Sequence, residues 1–280
     1  MELLTKLKPF TKWTGGKGQL LKILTANLPS EFNDYYEPFI GGGALFFELQ
    51  KENALINDLN TDLVLSYKAI RDDVHNLISL LEVHASNNSK EYYYDIRAVD
   101  RDGTYEKMTD TEKAARLMYM LRVNFNGLYR VNSKGQFNTP YGKYKNPKIV
   151  NEELLLSISE YLNNNNIKIM NTSFEEAVKN AKKNDFVYFD PPYVPLTETS
   201  NFTSYTSNGF GYDEQVLLRD TFIELDKRGC YVMLSNSDAD LVHELYKDYK
   251  DSTLRVDANR MINSNAKKRG IIKEVLIKNY

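Results

Sequence analysis

The chain has 280 residues, 42% of them hydrophobic and 26% charged, with a formal net charge of −2, one cysteine and three histidines. That length supports one large core or a core plus a smaller lobe; no apolar run is long enough to span a bilayer and no secretory signal pattern occurs, so a cytoplasmic location is expected and a membrane partner is not. Cys230 lies in an apolar run and His75, His84 and His243 lack the spacing of a zinc site or a nucleophilic triad, so no disulfide and no metal are expected, and the histidines are assigned to solvated helix surface.

Near the start, Lys8-Pro9-Phe10-Thr11-Lys12-Trp13-Thr14-Gly15-Gly16-Lys17-Gly18 contains the only tryptophan. Thr11 and Gly18 stand where a phosphate-binding loop needs glycine and a hydroxyl residue, which disfavours nucleotide hydrolysis. The glycines still let backbone approach a ligand, and Lys17 can reach a carboxylate or phosphate. A short helix is predicted over 19–28. Tyr35-Tyr36-Glu37-Pro38-Phe39 has strand content and runs into Ile40-Gly41-Gly42-Gly43 and a helix over 44–50. Strand, glycine turn and helix form the entry of a Rossmann-like nucleotide-binding unit. A second apolar run, Ala54-Leu55-Ile56, ends in Asn57-Asp58, with the acid where such folds hold ribose hydroxyls, so an adenosine cofactor is expected.

Apolar residues of helical period predict one helix over 61–82 and another over 109–122, separated by a polar stretch with Asn87, Asn88 and three tyrosines. Helices without intervening strands suggest an inserted lobe. Between Glu112 and Glu152 no acid occurs, while Lys113, Arg116, Arg122, Arg130, Lys134, Lys143, Lys145 and Lys148 do. Such a one-signed segment is either a phosphate-attracting patch or a solvated basic surface. Within it, residues 124–132 and 137–145 alternate amide, aromatic and cationic side chains and predict a β-hairpin turning at 133–136. Amides and arginines can bond base edges, lysines can pair with phosphate, and a leucine can wedge into a base stack.

A helix over 152–162, a strand over 167–170 and a helix over 174–181 restore the α/β alternation. Phe186-Val187-Tyr188-Phe189 then reads as a buried strand closed by Asp190-Pro191-Pro192-Tyr193. Alone, that tetrapeptide reads equally as a proline turn or as a reactive edge, since ligands of open α/β sheets sit beyond strand carboxyl ends. As a reactive edge, the Asp190 carboxylate and the Pro191 carbonyl offer two acceptors to an amino group, and Tyr193 a ring for stacking. In the polar stretch 195–212, Phe202, Thr203, Ser204 and Tyr205 can fold over a substrate. A helix over 213–227, a strand over 230–234 and a helix over 239–249 follow. Strands over 254–257 and 271–278 flank a loop with Arg260, Lys267, Lys268 and Arg269, suited equally to DNA and to solvent.

In this order, Lys12-Trp13-Thr14-Gly15-Gly16-Lys17, Glu37-Pro38-Phe39-Ile40-Gly41-Gly42-Gly43, Asn57-Asp58-Leu59-Asn60, the stretch from Asn124 to Lys145 and Asp190-Pro191-Pro192-Tyr193 resemble the Dam-type DNA adenine-N6 methyltransferases. That group methylates adenine in GATC and includes modification enzymes of DpnII-like restriction systems. The resemblance covers nearly the whole chain. It implies an α/β fold: a Rossmann-like S-adenosylmethionine-dependent methyltransferase sheet over 1–61 and 150–280, with an inserted, mainly helical DNA-recognition domain over 62–149 bearing a β-hairpin. It further implies that Trp13, Lys17, Phe39, Gly41, Asp58 and Asp190 bind S-adenosylmethionine, and that Asp190, Pro191 and Tyr193 carry catalysis.

For DNA, the resemblance implies contacts from Lys12, Asn126, Leu128, Arg130, Pro140, Lys143, Tyr144 and Lys145. Arg130 would read a base edge, Leu128 enter the stack beside the target adenine, Pro140 pack on a thymine methyl, and Lys12 and Tyr144 engage the outer G·C pair. Several relatives carry Gly-Arg-Tyr-Lys where this chain has Gly142-Lys143-Tyr144-Lys145; lysine keeps the charge and loses the bidentate fork, which suits phosphate better than a base. The expected partner is duplex DNA, through which the protein associates with the nucleoid, and a monomer is favoured. Two other readings stand beside this one. Methylation of cytosine N4 or of RNA on the same fold is opposed by the aspartate at 190 and by the hairpin; a catalytically silent DNA-binding module is opposed by the intact cofactor motifs.

Overall fold

A computed structural model of the chain describes residues 5–196, 210–259 and 271–280. In chain order its elements are α1 (Leu21–Ala26), β1 (Tyr35–Glu37), α2 (Ala44–Leu49), β2 (Asn53–Asn57), α3 (Thr61–Asp72), α4 (Val74–Ser86), α5 (Lys90–Ala98), α6 (Asp110–Val123), α7 (Glu152–Asn164), β3 (Asn166–Met170), α8 (Phe174–Ala177), β4 (Phe186–Phe189), α9 (Tyr212–Lys227), β5 (Tyr231–Ser237), α10 (Asp240–Leu245), β6 (Thr253–Asn259) and β7 (Ile271–Lys278). They divide into two compact units, one from residues up to 21, 41–52 and 58–171, the other from 22–40, 53–57 and 172–280.

The second unit is a largely parallel α/β sheet with strand order β2-β1-β4-β5-β7-β6. β1 runs parallel to β2 and β4, β4 parallel to β5, and only β7 is antiparallel, to β5 and β6. All four residues of β4 are buried, as continuous apolar runs in parallel sheets require, because both faces are covered. β5 runs three residues past its predicted end, since Ser235, Asn236 and Ser237 pair with Leu276, Val275 and Glu274. Polar residues here obey the ladder rather than ending it. The helix predicted over 239–249 stops at Leu245, and a 3-10 turn over Lys247–Ser252 follows. Cys230 is buried, and burial pushes its thiol up to about 11, which leaves it an inert thiol.

In the first unit, α3 and α4 pack against α6. α6 is fixed at its start by a capping box: Glu112 N–H donates to Thr109 Oγ1 (3.2 Å) and Thr109 N–H to Glu112 Oε2 (2.7 Å). The single helix predicted over 61–82 is broken at Asp73 (φ −149°, ψ 42°), whose carboxylate accepts from Thr111 of α6 at 2.7 Å. A tertiary hydrogen bond outweighs the continuing apolar period there. The polar stretch with three tyrosines, to which the sequence assigns no element, contains α5, capped by Ser89, which accepts from Tyr92 N–H at 3.1 Å.

The histidine assignment needs one correction. His75 is exposed as expected, but His84 is buried, its ring stacked on Tyr119 (4.8 Å between centroids) and its Nδ1 2.8 Å from the Tyr92 hydroxyl. Burial lowers its pKa to about 4. His243 is paired with Asp238 at 2.6 Å rather than merely solvated. Among the described residues, no helix is long and apolar enough to cross a membrane.

Candidate active site

In the first unit the glycine turn and the second-strand acid are built into one cluster. Gly41 has φ +46°, and a Cβ there would lie 2.9 Å from the Trp13 ring, so only glycine admits the tryptophan. Its N–H donates to Asp58 Oδ2 (3.1 Å), while Asn60 N–H donates to Asp58 Oδ1 (2.9 Å). Burial raises the Asp58 pKa against the opposing pull of these amides. Tyr67 donates its hydroxyl to the Gly41 carbonyl (3.1 Å), and Tyr129 lies 5.4 Å from Trp13. Neither tyrosine was singled out in the sequence, because only the fold brings helix α3 and the ribbon to the turn. Lys17 is buried and donates to the Gly15 carbonyl (3.0 Å). A side-chain-free turn, an indole beside it and a desolvated carboxylate form a donor and acceptor set that fits a nucleoside: hydroxyls for the acid, a ring for the tryptophan.

In the second unit the Asp190-Pro191-Pro192-Tyr193 segment follows β4 directly and is pinned from three sides. Gln215 of α9 donates to the Pro192 carbonyl (3.0 Å) and accepts from Asn236 of β5 (3.2 Å), whose own Oδ1 takes Val194 N–H (3.1 Å). Tyr193 donates its hydroxyl to Glu274 of β7 at 2.8 Å. Burial first and the Asp190 charge second push the Tyr188 and Tyr193 phenols far above their usual range, so both remain protonated. Phe39 lies among Phe174 (5.4 Å), Phe189 (6.2 Å) and Phe210 (5.7 Å). Asn57 fixes the chain beside it, donating to Pro38 O (2.9 Å) and Thr172 O (3.0 Å) and accepting from Thr172 N–H (2.9 Å). Gln215, Asn236 and Glu274 carried no local motif and became visible only through these partners. Phe202, Thr203, Ser204 and Tyr205 lie outside the described residues, as do Arg260, Lys267, Lys268 and Arg269.

The ribbon of the first unit turns where predicted, but as a hairpin of isolated bridges rather than continuous strands. Val131 pairs with Phe137 and Asn124 with Tyr141. Asn132 closes the turn, its Oδ1 accepting from Lys134 and Gln136 N–H at 3.0 Å each. Its base is held by Tyr93, which donates to Thr139 O (2.7 Å), and by Asp100, which accepts from Phe137 N–H (2.8 Å).

Asn126 (φ +59°) and Gly127 (φ +66°) turn the chain back on Lys12, where a Cβ on Gly127 would come within 2.5 Å of Lys12 Cβ. The Lys12 ammonium sits 4.1 Å from the Tyr144 ring centroid, so those two expected contacts are one unit. Asn126, Arg130, Pro140, Lys143, Tyr144 and Lys145 are exposed and Leu128 is half-buried. Two cations of the acid-free segment do not belong to this surface. Arg116 is buried against Asp100 (3.1 Å), and Arg122 donates to the Phe10 carbonyl (2.9 Å) with its pKa lowered by burial.

A parallel, Rossmann-like sheet whose fourth strand ends in an anchored D-P-P-Y turn, in a chain that also holds a glycine turn with its acid partner, defines a methyltransferase fold. A model of the D12 class N6 adenine-specific DNA methyltransferases matches residues 13–262, and the chain belongs to that family. It is 58% identical to the Type II methyltransferase M1.LlaDCHI of Lactococcus lactis subsp. cremoris, over 100% of this chain and 99% of the relative. It is 43% identical to the Type II methyltransferase M.MjaIII of Methanocaldococcus jannaschii (98% and 100%) and 34% identical to a DNA adenine methylase of Vibrio cholerae (98% and 96%). The chain is therefore an adenine-specific DNA methyltransferase acting on DNA, and the cytosine, RNA and silent-module readings are set aside.

Proposed function

We propose that this chain methylates adenine N6 within GATC of duplex DNA, with S-adenosylmethionine as methyl donor and with the target base flipped out of the helix. The observation that carries the reading is the anchored strand end, where Gln215, Asn236 and Glu274 fix Asp190-Pro191-Pro192-Tyr193. When bound, the donor supplies an electrophilic methyl group on a cationic sulfur. Asp58 would accept its ribose hydroxyls beside Trp13 and the Gly41 turn, and Lys17, Phe39 and Asp190 are the further residues proposed to bind it.

The adenine amine is a weak nucleophile because its lone pair is delocalised into the ring. Asp190 and the Pro191 carbonyl each accept one of its two hydrogens, which favours a tetrahedral nitrogen and stabilises the positive charge that grows as the methyl arrives. Reaching this site takes the base out of the stack at a cost of a few kcal/mol. Leu128 fills the gap, Tyr193 stacks on the flipped adenine, and positioning of nitrogen and methyl in line contributes much of the remaining acceleration.

Residues 62–149 serve as the recognition domain and the rest as the catalytic domain. Arg130 reads a base edge, Pro140 meets a thymine methyl, Lys12 with Tyr144 engages the outer pair, and Asn126, Lys143 and Lys145 hold the backbone. The protein acts as a monomer in the cytoplasm, on the nucleoid. The name Type II methyltransferase on two relatives supports a role as the modification partner of a restriction enzyme. Base-resolved mapping of N6-methyladenine in DNA from cells expressing the chain tests the site: methylation confined to GATC is expected, and any other motif rejects that assignment.

A further inference from the structure

The contact made by Arg130 points to a residue that no motif had singled out. Arg130 and Asn138 face each other across the ribbon, joined by a backbone bond from Asn138 N–H to Arg130 O at 2.9 Å. Two side-chain bonds run back: Arg130 Nε donates to Asn138 Oδ1 at 2.6 Å and Nη2 to the Asn138 carbonyl at 3.0 Å. Three hydrogen bonds between one pair of residues immobilise an otherwise exposed arginine. A guanidinium has two edges able to donate in parallel, the Nε–Nη2 side and the Nη1–Nη2 end. Asn138 takes the first with two acceptors at once. The end edge keeps N–H groups on both Nη1 and Nη2 that these bonds do not use, and that pair matches the O6 and N7 acceptors of a guanine in the major groove.

We infer that Asn138 is a positioning residue for sequence recognition: it holds the Nε–Nη2 side of Arg130 so that only the Nη1–Nη2 end can reach a base. The inference rests on the base-reading role proposed for Arg130. Without Asn138 the guanidinium can rotate and present either edge, to a base or to a phosphate. Discrimination then falls more than binding does, because a mobile arginine still satisfies a phosphate but no longer penalises a wrong base. Asn138 is half-buried and stands outside the buried core, so its truncation is expected to leave the fold intact.

The test compares wild type, Arg130→Ala, Asn138→Ala, Asn138→Asp and the Arg130→Ala/Asn138→Ala double variant. Each is assayed for kcat/KM on the preferred duplex and on every duplex with one base pair changed, with folding checked by circular dichroism. Asn138→Ala is expected to lower the preference about tenfold at the one position where Arg130→Ala lowers it. Asn138→Asp, which keeps the acceptor, should restore it. The double variant should discriminate no worse than Arg130→Ala alone. Should Arg130→Ala relax one position while both Asn138 variants keep the wild-type ratio, the positioning role is wrong although base reading stands. Should Arg130→Ala weaken every duplex equally, Arg130 is a phosphate contact and the inference falls with its premise.

Discussion

At the scale of single residues, Asp190 and Tyr193 separate chemistry from support. Asp190→Ala removes the proposed acceptor for the amine hydrogens, so we expect methyl transfer to fall by at least about 10²-fold. DNA affinity measured by gel shift should change little, since its one proposed DNA contact is to the amine of the flipped adenine and the duplex and its phosphates are held by other residues. Undiminished transfer by Asp190→Ala would overturn the mechanism. Tyr193 is subtler. Its ring is the proposed stacking partner, whereas its hydroxyl ties that ring to Glu274. Tyr193→Phe keeps the ring and loses one hydrogen bond, worth about 0.5–1.5 kcal/mol, so single-turnover rates should drop only a few-fold. Tyr193→Ala should cost far more, and equal losses in the two variants would show that the ring itself has no role.

At the scale of elements, the ribbon depends on one glycine. Gly127 combines φ +66° with a Cβ position 2.5 Å from Lys12 Cβ, so Gly127→Ala must strain the backbone and displace Lys12 from Tyr144. A cost of about 1–3 kcal/mol is expected at this position. A loss of preference for the outer base pair should accompany it, visible on duplexes altered at that pair. Helix α6 supplies the contrast. Thr109→Ala removes half of its capping box and should lower stability by about 1 kcal/mol in urea denaturation while leaving sequence preference unchanged. Helix α6 also shows how charge can mislead: Arg116 lies in a basic run yet faces Asp100 inside the fold, so Arg116→Ala should reduce stability rather than affinity for DNA.

At the scale of the whole molecule, His84 makes stability depend on pH. Its folded pKa of about 4 lies below its ordinary value of 6.5, so the unfolded chain binds the proton more readily between those values. The stabilisation is complete above pH 6.5 and is lost as pH falls toward 4, by on the order of 1–3 kcal/mol. Denaturation midpoints measured across that window should fall for wild type, and His84→Phe, which keeps a ring against Tyr119, should flatten the slope. An unchanged slope would place the titration elsewhere. Both compact units are assembled from separated stretches of chain, so stability measured this way belongs to tertiary contacts and not to any one segment.

Legible from sequence alone are the alternation of strands and helices along the chain outside residues 61–98, the glycine turn with Asp58, the D-P-P-Y strand end and the acid-free ribbon. These are local because a strand buried on both faces must be a continuous apolar run, and a sharp turn must carry glycine or proline. Tertiary structure decided what depends on a partner far along the chain. Asp73 breaks a helix for Thr111, His84 is drawn inside by Tyr119, and Arg116 turns inward to Asp100. Tyr193 is fixed by Glu274, 81 residues away, and the edge that Arg130 presents is set across the ribbon by Asn138. A residue's type states what it can bond, but the fold chooses which partner comes within 3 Å, since a buried polar group must be satisfied by whatever is near.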